Sequence, residues 1–124
     1  MTLVTDRYER ELQARQKWEA LPHGGRDSLI MQVQCADGHH LAKVFHANGE
    51  RLVMTTLRPR SHGSRDIPDK PHTPGEVRHM VDMLDVDDAA DDGIPAWCDC
   101  GARTLSRAGL RNWLAEGERR VVLN

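Results

Sequence analysis

Three cysteines and a histidine in two short glycine-containing segments constrain the fold of this chain more than any other feature. The segments are Cys35-Ala36-Asp37-Gly38-His39 and Cys98-Asp99-Cys100-Gly101, and they lie far apart in the sequence. Three thiolates and one imidazole are a complete ligand set for tetrahedral zinc(II). We therefore predict one zinc ion that joins the two segments and is bound by Cys35, His39, Cys98 and Cys100.

Two alternatives to this ligand set stay open at the level of sequence. His40 competes with His39, which we favour because it directly follows Gly38 in the turn, whereas His40 begins an apolar-rich strand. The spacings C-x3-H and C-x-C are less diagnostic than paired C-x2-C segments, and buried free cysteines would also satisfy them. A closed shell of three Cys and one His leaves no position for substrate, so we expect structural zinc and no enzymatic activity.

Length and composition favour one small domain. The chain has 124 residues with 39% hydrophobic residues and few aromatic side chains, so its core is small and a metal ion would stabilise it. Three cysteines cannot all pair within one chain, and the sequence shows neither a signal segment nor a long apolar run. We expect a cytoplasmic protein that does not span a membrane. Its net charge of -2 gives no general attraction to nucleic acid.

The N-terminal residues 1–24 are predicted to form a helix outside the main domain of residues 28–124. Thr5 or Asp6 is a suitable N-cap, and the chain then continues to Ala20 without Gly or Pro. The apolar residues of this segment form a sparse stripe. We predict that a protein partner contacts part of that stripe, at Tyr8, Leu12 and Trp18; a solvated helix that packs on the core through a thin face is the alternative.

A three-stranded antiparallel meander is predicted for the next part of the chain. Residues 28–35 alternate between apolar and polar side chains, which is typical of a half-buried strand. A second strand follows at 40–47, and Asn48-Gly49 favours a tight hairpin turn into a third strand at 51–57. This arrangement places the metal at one end of the meander and Asn48-Gly49 at the other.

The middle of the chain predicts a loop, a helix and an acidic segment. Residues 58–73 are rich in Pro and Gly and are predicted to be a flexible insertion, whose Arg58, Arg60 and Arg65 are candidate phosphate contacts. A capping box at 73–76 and apolar helical spacing predict a short helix from 74 to about 84. The aspartates from Asp82 to Asp92 lack the EF-hand pattern, so we expect a solvated acidic loop.

The C-terminal part predicts a hairpin, a helix and a last strand. Strands at 94–98 and 102–105 flank the second cysteine segment, and Ser106 is the expected N-cap of a helix that reaches about Glu116. Residues 119–123 are predicted to be an edge strand. The arginines of this part are expected at the border of the apolar helix face or on strands, where they could contact nucleic acid or an acidic partner: Arg103, Arg107, Arg111, Arg119 and Arg120.

Residues 28–124 resemble the small zinc-ribbon-like proteins found in actinobacteria and their phages. The resemblance is carried by C-x-x-G-H between two strands, a later C-x-C-G, and a closing helix followed by a strand. The dominance of arginine over lysine, which occurs only as Lys17, Lys43 and Lys70, is typical of GC-rich genomes such as theirs. Most members of that group lack a known activity. The resemblance implies a zinc-ribbon architecture and a binding or regulatory role.

These observations predict an α+β protein with a small antiparallel, zinc-ribbon-like sheet, an N-terminal helix, a short middle helix and a C-terminal helix. The expected function is that of a non-enzymatic, zinc-stabilised binding or regulatory module that engages a protein. A nucleic-acid-binding regulator that uses the arginines is the alternative. A zinc-dependent hydrolase would require an open metal position, and no small-molecule substrate is predicted.

Overall fold

A computed structural model describes residues 3–56, 79–86, 92–98 and 100–123, with side chains from Glu9 onward. The predicted α+β class is confirmed. The elements in chain order are helix α1 (Leu3–Glu19), a 3-10 segment (Pro22–Ser28), strands β1 (Leu29–Cys35), β2 (His40–Ala47), β3 (Glu50–Thr56), β4 (His79–Met83), β5 (Gly93–Cys98) and β6 (Gly101–Ser106), helix α2 (Arg107–Ala115) and strand β7 (Arg120–Leu123).

The main sheet has the strand order β4-β3-β2-β1-β7, and β5 and β6 form a separate hairpin. The predicted meander β1-β2-β3 is confirmed, and its second turn has φ values of 51° at Asn48 and 85° at Gly49, as the hairpin prediction requires. The prediction of an antiparallel sheet is wrong for the last strand. β7 is an edge strand as expected, but it runs parallel to β1, so the sheet is mixed.

The predicted middle helix is wrong where the structure describes it. Residues 79–83 form β4, which pairs antiparallel with β3 from Thr56↔His79 to Leu52↔Met83. The apolar spacing that predicted a helix also satisfies a strand at a sheet edge, where tertiary pairing overrides local preference. Residues 74–78 and the predicted insertion at 58–73 lie outside the described residues.

The two faces of the main sheet carry separate apolar clusters. The register places Val44 and Val53 on one face, under the β5-β6 hairpin and α2, where they join the larger cluster. Phe45 and Leu52 project from the opposite face into the smaller cluster, which Ala14 and Trp18 of α1 help to cover. Helix α1 therefore contributes side chains to the core.

Gly25 allows the chain to pass close to the second cluster. Its φ is +79°, and a Cβ atom there would lie 3.0 Å from the Phe45 ring and 3.2 Å from Trp18 Nε1. Any larger residue would displace the two aromatic rings, which pack edge to face with centroids 6.3 Å apart. Gly25 thus fixes how α1 and β2 meet.

The acidic segment is a solvated loop only in part where the structure describes it: Asp82 lies in β4 and is buried, whereas Asp85 follows that strand and is exposed. Asp82 is 0% exposed, and its carboxylate accepts hydrogen bonds from Arg10 at 2.7 and 2.9 Å and from Arg107 at 2.7 Å. Asp85 accepts two hydrogen bonds from Arg51, at 3.0 and 2.6 Å. These carboxylates remain charged because arginines from other elements reach them.

Arg107 also differs from its predicted position at the solvated border of α2. It is 1% exposed, and besides Asp82 it donates a hydrogen bond to the Met83 carbonyl. A guanidinium can be buried when carboxylate and carbonyl oxygens satisfy its donors. Through Asp82, Arg10 and Arg107 connect α1, β4 and α2.

Ser106 is the N-cap of α2, as predicted. Its Oγ accepts a hydrogen bond from the Gly109 N–H at 3.0 Å and donates one to Asp92 Oδ2 at 2.7 Å. The other carboxylate oxygen of Asp92 accepts from the Ala108 N–H at 2.9 Å. Both side chains satisfy N–H groups that a helix start leaves unpaired. Further along α2, Leu110 is buried and Trp113 and Leu114 pack against the larger cluster, as predicted.

Candidate metal site

The first half of the site is the tight turn between β1 and β2. Cys35 is the last residue of β1, and His39 directly precedes β2. The Cys35 N–H donates to the His39 carbonyl and the Gly38 N–H donates to the Cys35 carbonyl, both at 2.9 Å. Gly38 has a φ of +86°, which glycine adopts without strain. The turn therefore holds the thiol and the imidazole on the same side.

The second half is the turn of the β5-β6 hairpin. Cys98 ends β5, Gly101 begins β6, and Cys100 lies between them. The Cys100 N–H points at the Cys98 sulfur, at an N···Sγ distance of 3.4 Å. Gly101 has a φ of +127°, which favours glycine. Side chains alternate between the two faces of β5, so that Ile94, Ala96 and Cys98 face the main sheet. The hairpin therefore places Cys98 near the end of β1.

The structure brings together the four side chains that the sequence singled out. Their ligand atoms, three Sγ and one imidazole nitrogen, all lie within 4.8 Å of one another. Cys35 Sγ is 3.3 Å from His39 Nδ1 and 3.9 Å from Cys100 Sγ, and the distance from Cys100 Sγ to His39 Nδ1 is 3.6 Å. Side chains from two distant segments thus converge on one point.

These distances match the geometry of a tetrahedral thiolate and imidazole site. With zinc at about 2.3 Å from sulfur and about 2.0 Å from nitrogen, a tetrahedral shell separates two sulfurs by about 3.8 Å and a sulfur from the nitrogen by about 3.5 Å. The Cys35–Cys100 and Cys100–His39 separations agree with these values to within a few tenths of an ångström. The donor set is therefore arranged so that it can hold a metal ion.

The three thiols of the site differ in how far solvent reaches them, and the thiols of Cys35 and Cys100 also differ in pKa. Cys35 and Cys98 are buried, at 1% and 0% exposure, whereas Cys100 is exposed. Burial raises the pKa of the Cys35 thiol, but hydrogen bonds from the backbone of His39 and Asp37 and from the other two thiols outweigh it, so that the pKa falls to about 7. A thiolate is thus accessible near neutral pH at Cys35, as metal binding requires.

Asp37 is a neighbour of the site that the sequence analysis did not single out. Its Oδ2 lies 3.1 Å from Cys100 Sγ. This carboxylate, with burial and the Cys35 sulfur, raises the pKa of the Cys100 thiol to about 12. The signal was present in the sequence, because Asp37 lies in the middle of the Cys35–His39 segment.

The two candidate histidines occupy different positions. His39 is half-buried with Nδ1 directed at the sulfurs, whereas His40 is exposed and starts β2. A third histidine, His79, is exposed at the start of β4, where its carbonyl accepts a hydrogen bond from Arg15 at 2.6 Å. Within the described ranges, the metal-binding group contains His39 and neither of the other two.

The predicted partner contacts on α1 are in different surroundings. Leu12 is 42% exposed, and Trp18 is half-buried against Phe45. The side chain of Tyr8 lies outside the described part of the chain. Of the two described residues, Leu12 presents the more exposed apolar side chain.

The five predicted arginine contacts that the structure describes do not all lie on the surface. Arg107 is buried, and Arg111 is half-buried and donates to the Leu84 carbonyl at 2.9 Å. Arg103 is half-buried on β6, while Arg119 and Arg120 are exposed at the start of β7. The parallel register sets Arg120 opposite Gln32, in the middle of β1 and three residues before Cys35. Arg58, Arg60 and Arg65 lie outside the described residues.

Comparison of the chain with protein-family models, with curated proteins and with solved structures finds no significant match. No helix within the described ranges has the length and apolar character needed to cross a bilayer. Inference about function therefore rests on the geometry of the site.

Proposed function

We propose that this chain is a non-enzymatic binding module that one structural zinc ion stabilises, and that its partner is a protein. One observation carries the zinc assignment: four Cys and His ligand atoms from two distant turns lie within 4.8 Å of one another. Soft thiolates with an imidazole favour zinc over magnesium, calcium or manganese, which prefer oxygen ligands.

The composition of the ligand set supports a structural role. Three thiolates and one imidazole complete a tetrahedral shell, so no position is left for the water or substrate that catalytic zinc needs. The position of the site supports the same role, because the ion would join the β1-β2 turn to the β5-β6 hairpin. We infer that binding of the ion contributes directly to the free energy of folding.

A protein partner is favoured by the outer surface of α1. Leu12 is a large apolar side chain that is 42% exposed, on a helix whose other side packs on the core. Because α1 supplies Ala14, Trp18 and Arg10 to the interior, deleting the helix would unfold the protein as well as remove the contact. The variant Leu12→Asp is therefore a better test than truncation, and Gln13→Asp is its matched control on an exposed neighbour.

The partner is tested by affinity capture from a lysate of the source organism. We expect the wild type and Gln13→Asp to capture the same protein and Leu12→Asp to lose it. Equal capture by all three would reject Leu12 as a contact. If the zinc-loaded protein captures no protein, the protein-partner proposal fails.

A nucleic-acid-binding regulator is the second candidate, and the exposed Arg119 and Arg120 at the start of β7 favour it. Contacts between arginine and phosphate make affinity fall steeply as salt increases. Retention on DNA that decreases steeply with salt and is lost in Arg119→Ala/Arg120→Ala would support this candidate over the protein partner. Membership in the zinc-ribbon-like group of actinobacteria and phages is a further part of the proposal, and the coding sequence's GC content bears on it.

A further inference from the structure

The three thiols of the metal site differ in how easily a dissolved oxidant reaches them. Cys100 is exposed, while Cys35 is 1% and Cys98 is 0% exposed. A small oxidant such as hydrogen peroxide therefore meets the Cys100 sulfur first. Exposure is one of the factors that decide which cysteine in a protein is oxidised.

The sulfur across the site from Cys100 belongs to the other turn. Cys35 Sγ lies 3.9 Å from Cys100 Sγ, about van der Waals contact, and a disulfide requires about 2.05 Å. Cys98 is a poorer partner because one residue separates it from Cys100, so their disulfide would close a small, strained ring. Cys98 also keeps its sulfur engaged with the Cys100 N–H.

We propose that Cys35 and Cys100 form a reversible disulfide when a peroxide oxidises the site, and that this bond replaces the metal as the link between the two turns. The inference rests on the metal site of the proposed function. The structure thus assigns Cys100 as the sulfur that is oxidised and Cys35 as the sulfur that resolves it.

The chemistry needs one equivalent of peroxide and balances in two steps. In the zinc-loaded protein a bound metal would keep Cys100 deprotonated, although the pKa of its free thiol is raised. This thiolate attacks one oxygen of hydrogen peroxide, the O–O bond breaks, and hydroxide leaves to give a sulfenic acid. Cys35 thiolate then attacks the Cys100 sulfur, an S–S bond forms, the S–O bond breaks, and a second hydroxide leaves. The two thiolates lose two electrons and the peroxide gains them, and two protons from solvent convert the hydroxides into water.

The oxidised form loses the metal and keeps its topology. With Cys35 and Cys100 joined to each other, His39 and Cys98 are the remaining ligands of the set, and two ligands do not hold a zinc ion in a closed tetrahedral shell. The disulfide still connects the end of β1 to the β5-β6 hairpin and so limits the freedom of the unfolded chain. A thiol reductant returns both cysteines to the metal-binding state.

The direct test maps disulfides in the zinc-loaded wild-type protein after hydrogen peroxide treatment and alkylation of free thiols. Cleavage at Lys and Arg followed by cleavage before Asp separates Cys98 from Cys100, because Asp99 lies between them. We expect a peptide that links Cys35 to Cys100 and one zinc ion released per disulfide, both reversed by dithiothreitol. A Cys98–Cys100 disulfide, an intermolecular disulfide, or zinc release without the Cys35–Cys100 link would overturn the proposal.

Two matched variants check the assignment. Cys98→Ser should still form the Cys35–Cys100 link on oxidation, whereas Cys100→Ser should form none; a linked peptide in Cys100→Ser would contradict the role of Cys100. The zinc content of the reduced wild type, measured beside the mapping, separates the two proposals. A protein that binds no zinc defeats the proposed function, while a zinc-loaded protein that never forms the link defeats this inference alone.

Discussion

Asp82 and Arg107 form an ion pair that is almost completely removed from solvent. Asp82 Oδ2 lies 2.7 Å from Arg107 Nη2, and their side chains are 0% and 1% exposed. Arg10, which is 21% exposed, reaches the same carboxylate from α1. Charges in such surroundings are stable only as a complete set, because each partner compensates the lost hydration of the others.

Loss of one member of this set should destabilise the fold strongly. We expect Asp82→Asn to lower the free energy of unfolding by about 3–5 kcal/mol, because it removes the negative charge that the buried Arg107 contacts at 2.7 Å. The exposed pair Arg51–Asp85, at 31% and 48% exposure, provides the matched control. Asp85→Asn should cost at most about 1 kcal/mol. Urea unfolding of the two variants measures the difference, and equal costs would show that the buried pair is not a major contributor.

Acid should unfold the protein through the same carboxylate. Burial alone would raise the pKa of Asp82, but the hydrogen bonds from Arg10 and Arg107 outweigh it and hold the pKa below its usual value. A lowered folded-state pKa gives stability that is present above the unfolded pKa of about 3.9 and is lost as pH falls through the folded value. The carboxyl carbon of Asp82 should therefore titrate below about pH 3.9 by NMR. Titration above that value would contradict the lowered pKa.

The start of α2 depends on the Ser106 hydroxyl. Ser106→Ala removes the acceptor for the Gly109 N–H and the donor to Asp92, and should lower the free energy of unfolding by about 1 kcal/mol. Ser106→Thr keeps a hydroxyl at the same position and should retain most of the stability. Thermal or urea unfolding measures the stability of both variants. Equal stabilities of Ser106→Ala and Ser106→Thr would show that the cap does not contribute.

Asp37 should make the metal site more sensitive to acid. Its carboxylate raises the pKa of the Cys100 thiol to about 12, so a proton competes with the metal for that sulfur. Asp37→Asn removes the charge, and we expect zinc to be retained to a lower pH than in the wild type. Asp27→Asn, in the 3-10 segment that precedes β1, is the charge-matched control. A chromogenic chelator follows zinc release, and an unchanged or higher release pH in Asp37→Asn would contradict this role.

The local parts of the fold were predictable from sequence because their determinants lie within a few residues. Asn48-Gly49 specifies a hairpin turn through its positive φ values, and Ser106 specifies a helix start through its own side chain. The two turns of the metal site are local in the same sense, since each carries its own glycine and ligands. The convergence of Cys35, His39, Cys98 and Cys100 followed from their chemistry.

The elements that the sequence predicted wrongly depend on contacts between residues that are distant in the sequence. Residues 79–83 have helical apolar spacing, yet β3 offers them an edge for pairing. Asp82 and Arg107 resemble ordinary surface residues in the sequence, and their burial depends on Arg10, which is separated from Asp82 by 72 positions. The parallel pairing of β7 with β1 depends on α2 returning the chain to that edge. None of these contacts has a local signature.

We propose that one metal ion bound by Cys35, His39, Cys98 and Cys100 holds two distant turns together, and native mass spectrometry with a chelator titration measures both the ion and its effect on stability. We predict one zinc ion per chain in the wild type and in His40→Ala, loss of the ion in His39→Ala, and a thermal midpoint that a strong chelator lowers by about 10 °C or more. A purified, reduced wild type that carries no metal and keeps its thermal midpoint in chelator would contradict the account.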